Sequence, residues 1–299
     1  MDNYVEPFAG SLAVLLGRPH SHKRHLTGAE TVNDKDQFLA NFWRALAAAP
    51  GEVAQHADWP VNEADLFARH LWLVNSGRER LASMDADPEF FDPKVAGWWV
   101  WGLCAWIGSG WCSGVGPWQL PHLGDAGRGV NRQLPHLGNV GQGVNRKLPH
   151  LGDAGQGIAE YMQELSVRLR RVRVCCGDWS RVVTDGALSF GSSVGVFLDP
   201  PYLGDVRTCD LYSCDDHTIA HEVREWALAH GDDPRFRIVL AGYEAEHIEH
   251  MPDSWRMESY AANRAYGTRN GTESDNVKNR KQERLWYSPH CVKPQRRLL

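Results

Sequence analysis

Apolar residues gather in short runs that stop at turn-forming residues, and these runs alternate with longer stretches of helical period. The sharpest run is Val194, Val196, Phe197 and Leu198, which ends in Asp199-Pro200-Pro201-Tyr202 and predicts a buried strand closed by a rigid turn. Tyr4-Val5-Glu6, Thr31 to Asp34, Val172 to Cys176, Phe236 to Leu240 and Glu283 to Tyr287 read as further strands. Leu12 to Leu16, Gln37 to Ala49, Asn62 to Val74, Ala159 to Leu169 and His217 to His230 read as helices, with Asn75-Ser76-Gly77 ending the third. Strands alternating with helices predict a doubly wound α/β sheet, a class that binds ligands at the carboxyl ends of its strands.

The alternation breaks at Trp59-Pro60. Trp98 to Gly108 (WWVWGLCAWIG) is apolar throughout but well short of the ~20 residues that span a bilayer, so it predicts a buried or binding segment and no membrane helix. A tandem repeat of 14 residues follows, Gln119–Arg132, Gln133–Arg146 and Lys147–Glu160. Each copy carries three glycines and a proline, too many for a helix, and near-identity points to recent duplication of a surface insertion. A DNA-facing arm carrying Arg128, Arg132, Arg146 and Lys147 is the functional alternative. The expected organisation is one domain from 1–58 with 160–299, interrupted by a mainly helical or irregular insert, 59–159, with the repeats at 119–160.

The 299 residues suffice for a sizeable core, and their ordinary charged and apolar fractions argue against disorder. A net charge of -5 does not advertise a nucleic-acid binder, so any basic surface must be local. The runs Arg168 to Arg173, Lys278 to Arg284 and Lys293 to Arg297 are candidates, each equally readable as a solvated face. The 7 cysteines are scattered, an odd number, which favours a reduced, cytoplasmic setting. Cys209, Cys214 and His217 have no matching second pair, and no metal is expected.

The residues at the strand ends carry the chemistry. Neither Pro200 nor Pro201 has an N–H, so the turn after the apolar run offers carbonyl acceptors; Asp199 adds another acceptor and Tyr202 an aromatic face. Acceptors beside a stacking ring suit an amino group on a flat heterocycle. Glu6-Pro7-Phe8-Ala9-Gly10 links the first strand to a helix, an arrangement that lets backbone amides approach a nucleotide-like ligand. Asp34, 24 residues after Gly10, stands where a ribose-binding carboxylate is expected, although an N-cap for the helix from Gln37 would also explain it. Asp178 and Trp179 could hold an adenine ring by accepting and stacking, and packing alone would also account for Trp179.

Taken in order, VEPFAGSLAVLL, ETVNDKDQFLANFW, CGDW, FLDPPY, RIVLAGY and ERLWYSPHC resemble the DNA adenine methylases whose recognition region lies between the cofactor motif and DPPY. The similarity covers about Tyr4–Leu46 and Val174–His290. It implies a class I methyltransferase (Rossmann-like) sheet, S-adenosylmethionine as methyl donor, double-stranded DNA as partner with the target base flipped out, and a restriction-modification setting in a prokaryotic or phage-infected cell. It further implies that Glu6, Phe8 and Gly10 border the methionine part of the cofactor, that Asp34 takes the ribose, and that Asp178 and Trp179 take the adenine. Asp199 and the Pro200 carbonyl would hold the target amine within the Asp199-Pro200-Pro201-Tyr202 motif, with Tyr202 stacked on the flipped base.

Two departures stand out. Leu12 occupies a place where the family usually has Gly, which would narrow the cofactor cleft. The family's Gly-Gly-Lys segment before the first strand has no counterpart here, so the expectation is a shortened form of a longer reading frame that binds S-adenosylmethionine weakly. The rival readings are a cytosine-amine methyltransferase and a DNA-binding protein with impaired catalysis. The oligomeric state is left open and is compatible with a monomer.

Overall fold

A computed structural model describes residues 1–18, 28–87, 89–106, 111–112, 157–201, 218–259 and 283–293. Its strands are β1 (Asn3–Glu6), β2 (Ala29–Asp34), β3 (Val172–Cys176), β4 (Val194–Leu198), β5 (Phe236–Tyr243), β6 (Arg256–Ser259) and β7 (Glu283–Tyr287). Its α-helices are α1 (Ala13–Gly17), α2 (Gln37–Ala48), α3 (Pro50–Ala57), α4 (Glu63–Trp72), α5 (Arg78–Leu81), α6 (Pro93–Ala105), α7 (Ile158–Leu169), α8 (Ile219–Gly231) and α9 (Glu244–His247). The seven strands form one sheet in the order β3-β2-β1-β4-β5-β7-β6. This mixed α/β, mostly parallel arrangement is compatible with a Rossmann-like fold. Two compact units divide the chain: Met1–Ala9, His20–Asn33 and Trp179–Leu299 make one, and Gly10–Pro19 with Asp34–Asp178 makes the other.

In the first unit β1 is buried along its whole length and lies parallel to β2 on one side and β4 on the other, with Val5 opposite Thr31 and Val196. Burial on both faces explains why β4 reads as a nearly continuous apolar run instead of an alternating one. Asp2 sets the register. Its backbone N–H donates to the Ser193 carbonyl at 2.9 Å, and its carboxylate accepts the N–H groups of Ser192 and Ser193 at 2.8 and 3.1 Å. β5 continues the parallel set, Ile238 opposite Val196, and extends to Tyr243, three residues past its predicted end. β7 then runs antiparallel to both β5 and β6, with Trp286 opposite Leu240 and Met257. Nothing in the sequence pattern of Arg256–Ser259 announced β6.

The second unit is built on helices packed around α6. Gly97 of α6 meets α3 closely: a Cβ there would lie 2.4 Å from His56 Cβ and 2.7 Å from the Val53 carbonyl. At Gly102 a Cβ would sit 1.8 Å from the Trp111 ring, so the apolar Trp98 segment is a buried helix whose glycines admit its neighbours. Asp92 caps α6 by accepting the Val95 N–H at 3.0 Å, and Pro93 occupies the first turn, where its missing N–H costs nothing. Asn41 of α2 exchanges two hydrogen bonds with the Asp92 backbone, at 3.0 and 2.8 Å, and Arg80 Nε donates to the Asp92 carboxylate at 2.6 Å.

Two local expectations fail. The cap of α2 is Asp36, which accepts the Phe38 N–H at 2.8 Å, and not Asp34; with two acidic residues in Asn33-Asp34-Lys35-Asp36, the strand takes the first and leaves the second to the helix. Asn75-Ser76-Gly77 does not end the third predicted helix. α4 passes through a π-helical turn, Leu73–Gly77, into α5, with Gly77 helical at φ -62°. A glycine inside a helix is unfavourable by only about 1 kcal/mol, and burial of Leu73 and Leu81 outweighs it.

In the first unit His247 of α9 is 1% exposed, lies edge-on to Trp286 at 5.0 Å, and has no hydrogen-bond partner for either ring nitrogen among the described residues. Burial, and then the nearby Arg224, His221 and His250, push its pKa down to about 4. The folded state therefore resists protonation while the unfolded chain takes the proton at the ordinary histidine value, so stability falls as pH drops from about 6.5 towards 4. The expected slope from this group approaches about 1.4 kcal/mol per pH unit in that window. Urea unfolding of the wild type and of His247→Leu from pH 7 to pH 4 should give a difference curve that is flat above 6.5 and shrinks below it.

Candidate functional site

In the first unit the strand order reverses between β1 and β4: β1 crosses over to β2 on one side, and β4 to β5 on the other. Such a switch point opens a crevice at the carboxyl ends of the two strands. Both motifs of that unit stop there. β1 ends in Glu6, which is 2% exposed and accepts the Tyr4 hydroxyl at 2.5 Å. Past it, the Pro7 carbonyl accepts from the Asn33 amide at 3.0 Å and the Ala9 N–H donates to the Asn33 carbonyl at 2.8 Å. β4 ends in exposed Asp199, buried Pro200 and half-buried Pro201. Tyr202 lies outside the described residues, as do residues 119–156 of the tandem repeat and Cys209, Cys214 and His217, while the last three residues of the third copy open α7.

Trp179 opens a single 3₁₀ turn, Trp179–Val182, in the same unit. Phe8 stacks against it with ring centroids 6.0 Å apart and planes 27° from parallel, and Trp226 meets it edge-on at 6.5 Å. At 7% exposure the indole is packed closely among these rings.

In the second unit Asp34 is half-buried. Its carboxylate accepts the Gly10 N–H at 3.0 Å and the Asp36 N–H at 2.9 Å, and its carbonyl accepts the Gly177 N–H at 3.0 Å. Desolvation raises its pKa, and the N–H groups of Asp36, Gly10 and Lys35 oppose that rise. The Gly10 amide is thus held by Asp34 within the protein, where the sequence had offered it to a ligand. Gly10 itself is exposed, and Asp178 is exposed after β3. Of the basic run from Arg168, Arg168 is half-buried and donates to the Leu15 carbonyl at 3.0 Å, while Arg170, Arg171 and Arg173 are exposed.

The turn into α1 holds an unusual backbone. Leu12, fully buried, adopts a left-handed conformation at φ 56° and ψ 22°. A residue with a Cβ is unfavourable there by about 1–2 kcal/mol, which gives the glycine of the resembled family a physical sense. Burial of the leucine side chain outweighs that strain here, since it contributes roughly 1.5–3 kcal/mol.

Sequence reasoning missed two groups with unpartnered buried atoms, Arg69 in the second unit and His247 in the first. The only sequence signal for Arg69 was the density of tryptophan around it. No protein-family model matches the chain, and no curated protein matches it.

The Leu12 backbone is open to a direct test. Leu12→Ala removes the buried side chain but keeps the strain, and should lower stability by about 3 kcal/mol. Leu12→Gly also loses the side chain yet relieves the left-handed strain, so it should be no less stable than Leu12→Ala in chemical denaturation. A glycine variant more than about 1 kcal/mol below the alanine variant, the ordinary helix order, would mean that the positive φ carries no energy.

Proposed function

We propose that this chain transfers a methyl group from S-adenosylmethionine to the exocyclic amine of adenine in double-stranded DNA, on a sheet of the class I methyltransferase type. The supporting observation is that Glu6-Pro7-Phe8 and Asp199-Pro200-Pro201 follow neighbouring parallel strands at the reversal of strand order. Two of the motifs that carry the family resemblance, far apart in the chain, thus meet at the end of the sheet where such folds bind ligands.

The residues fit the methyl donor on chemical grounds. Asp34 accepts backbone N–H groups on both oxygens, and a carboxylate has about four lone-pair sites, so acceptor capacity is left for ribose hydroxyls. Glu6 and Asp199 put two carboxyl groups at neighbouring strand ends, a setting that favours a cation. When bound, S-adenosylmethionine supplies an electrophilic methyl group on a positively charged sulfur.

The work of this chain's residues is then positioning. Asp199 and the Pro200 carbonyl accept the two amine hydrogens, which turns the nitrogen lone pair outwards for in-line displacement. The prolines present no competing N–H donor, and Tyr202 stacks on the flipped base. Alignment of this kind, together with exclusion of water, supplies most of the rate.

Asp199→Ala removes one acceptor and should lower tritiated-methyl incorporation into DNA by about 100-fold or more, while S-adenosylmethionine binding measured by calorimetry changes only a few-fold. Near-normal turnover in that variant would remove Asp199 from the site. The modified nucleoside should be N6-methyladenine; N4-methylcytosine would transfer the same geometry to the other amine, and absence of any methylated base would end the reading.

A further inference from the structure

In the second unit the peptide groups on either side of Gly10 are fixed to different partners. The Gly10 N–H donates to Asp34 Oδ2 at 3.0 Å, and the Gly10 carbonyl accepts the indole N–H of Trp43, in α2, at 3.3 Å. Gly10 sits at φ 46°, in the left-handed region, and this turn lets it face the carboxylate with one group and the helix with the other. The Asp36 N–H reaches the second oxygen of Asp34, Oδ1, at 2.9 Å. Asp36 is itself held at the start of α2, where it accepts the Phe38 N–H at 2.8 Å. Two of the bonds to the Asp34 carboxylate thus lead back to α2, one through Gly10 and Trp43, the other through Asp36.

Packing explains the bulk of the indole: Trp43 is 2% exposed and lies against Phe42, with ring centroids 4.8 Å apart. Packing does not explain its N–H. A phenylalanine would fill much of the same space, whereas a buried indole N–H must find an acceptor. The acceptor it has lies 33 positions earlier, on the exposed Gly10. Asp34, at the other side of that glycine, is half-buried, so a ligand hydroxyl can reach its carboxylate. The hydrogen-bond donors described for this carboxylate are the backbone N–H groups of Asp36, Gly10 and Lys35. They are neutral donors, which orient a carboxylate without cancelling its charge or using all of its lone pairs.

We propose that Trp43 is a positioning residue for ribose binding: by clamping the Gly10 carbonyl it presents the Gly10 N–H to Asp34, and so sets which lone pairs of that carboxylate face the ribose hydroxyls. This rests on the place of Asp34 in the proposed function and adds to it a residue that touches no ligand. Without the indole N–H the Gly10 turn is free to rotate, Asp34 loses a fixed donor, and its carboxylate has to be ordered at the moment of binding. The loss falls on ligands that use the hydroxyls and spares those that lack them.

The test is calorimetric titration of the full chain with S-adenosylhomocysteine and with its 2′,3′-dideoxy form, which differ only in the ribose hydroxyls. Trp43→Phe removes the N–H but also ring volume, so a second variant carries benzothienylalanine in place of Trp43, which keeps the shape of the indole and replaces its N–H by sulfur. The expected result in both is S-adenosylhomocysteine binding weakened by about 5-fold, the equivalent of one neutral hydrogen bond, with affinity for the dideoxy form unchanged within about 2-fold. Retained binding of the dideoxy form shows that each variant is folded. Asp34→Asn should show the same selectivity more strongly, because it alters the acceptor itself. Equal weakening of both ligands by benzothienylalanine, or weakening of neither, would overturn the proposal and leave Trp43 a packing residue, with the proposed function untouched. Lack of selectivity in Asp34→Asn would instead remove the ribose from Asp34, and failure of the wild type to bind S-adenosylhomocysteine would withdraw the cofactor; either result takes the role of Trp43 with it.

Discussion

The parallel pairing of β1 with β4 is the constraint on which the first unit depends. Both strands are buried on both faces, so neither can slip by one residue without driving an interior side chain into a position built for another. Asp2 fixes the alignment at one end through its bonds to Ser192 and Ser193. The opposite end is where the connections diverge, and a sheet reversal leaves no helix to cover that point. The same packing that makes the strands immovable thus brings the buried Glu6, and Asp199 one residue past β4, to the strand ends where the order reverses.

Buried polar groups in this protein fall into two kinds. Buried Asn41 and Asp92, joined by the exposed Arg80, form a connected set that fastens α2, α5 and α6, and the Tyr4 hydroxyl meets Glu6 directly. Arg69 and His247 are different: each is almost fully enclosed, and each has ring or guanidinium nitrogens without a hydrogen-bond partner among the described residues. His247 answers enclosure by staying neutral, as its depressed pKa indicates. A guanidinium cannot do the same, and Arg69 relies on three indoles instead.

Much of the sheet was legible from local pattern because the central strands are short apolar runs closed by Pro, Gly or Asp. Val194–Leu198 and Glu283–Tyr287 fall where the pattern put them. β6 was not legible, since Arg-Met-Glu-Ser has neither an apolar run nor a clean alternation; it is a strand because β7 supplies hydrogen bonds along it. The Asp36 cap was obscured by Asp34 two residues earlier, and local propensity cannot decide which of two acids a strand will keep. For the candidate site, the placement of the Glu6 and Asp199 segments followed from strand ends. The commitment of the Gly10 amide to Asp34 did not, because it depends on how the turn closes in three dimensions. The bond from Trp43 to the Gly10 carbonyl was equally hidden, since its two ends lie 33 positions apart and leave no short-range trace.

The strand order also carries a consequence for how the chain comes off the ribosome. β1 emerges first, yet β4, its partner on one side, follows only after nearly the whole second unit, Asp2 and Ser193 being 191 positions apart. β6 is then made before β7, the strand that joins it to the sheet. Arg256–Ser259 must therefore wait, unpaired, until Glu283–Tyr287 has left the exit tunnel and inserted between it and β5. Any arrest of translation in the interval would release a chain with an open β5 edge, complete in its Asp199 turn but exposed to pairing with another copy.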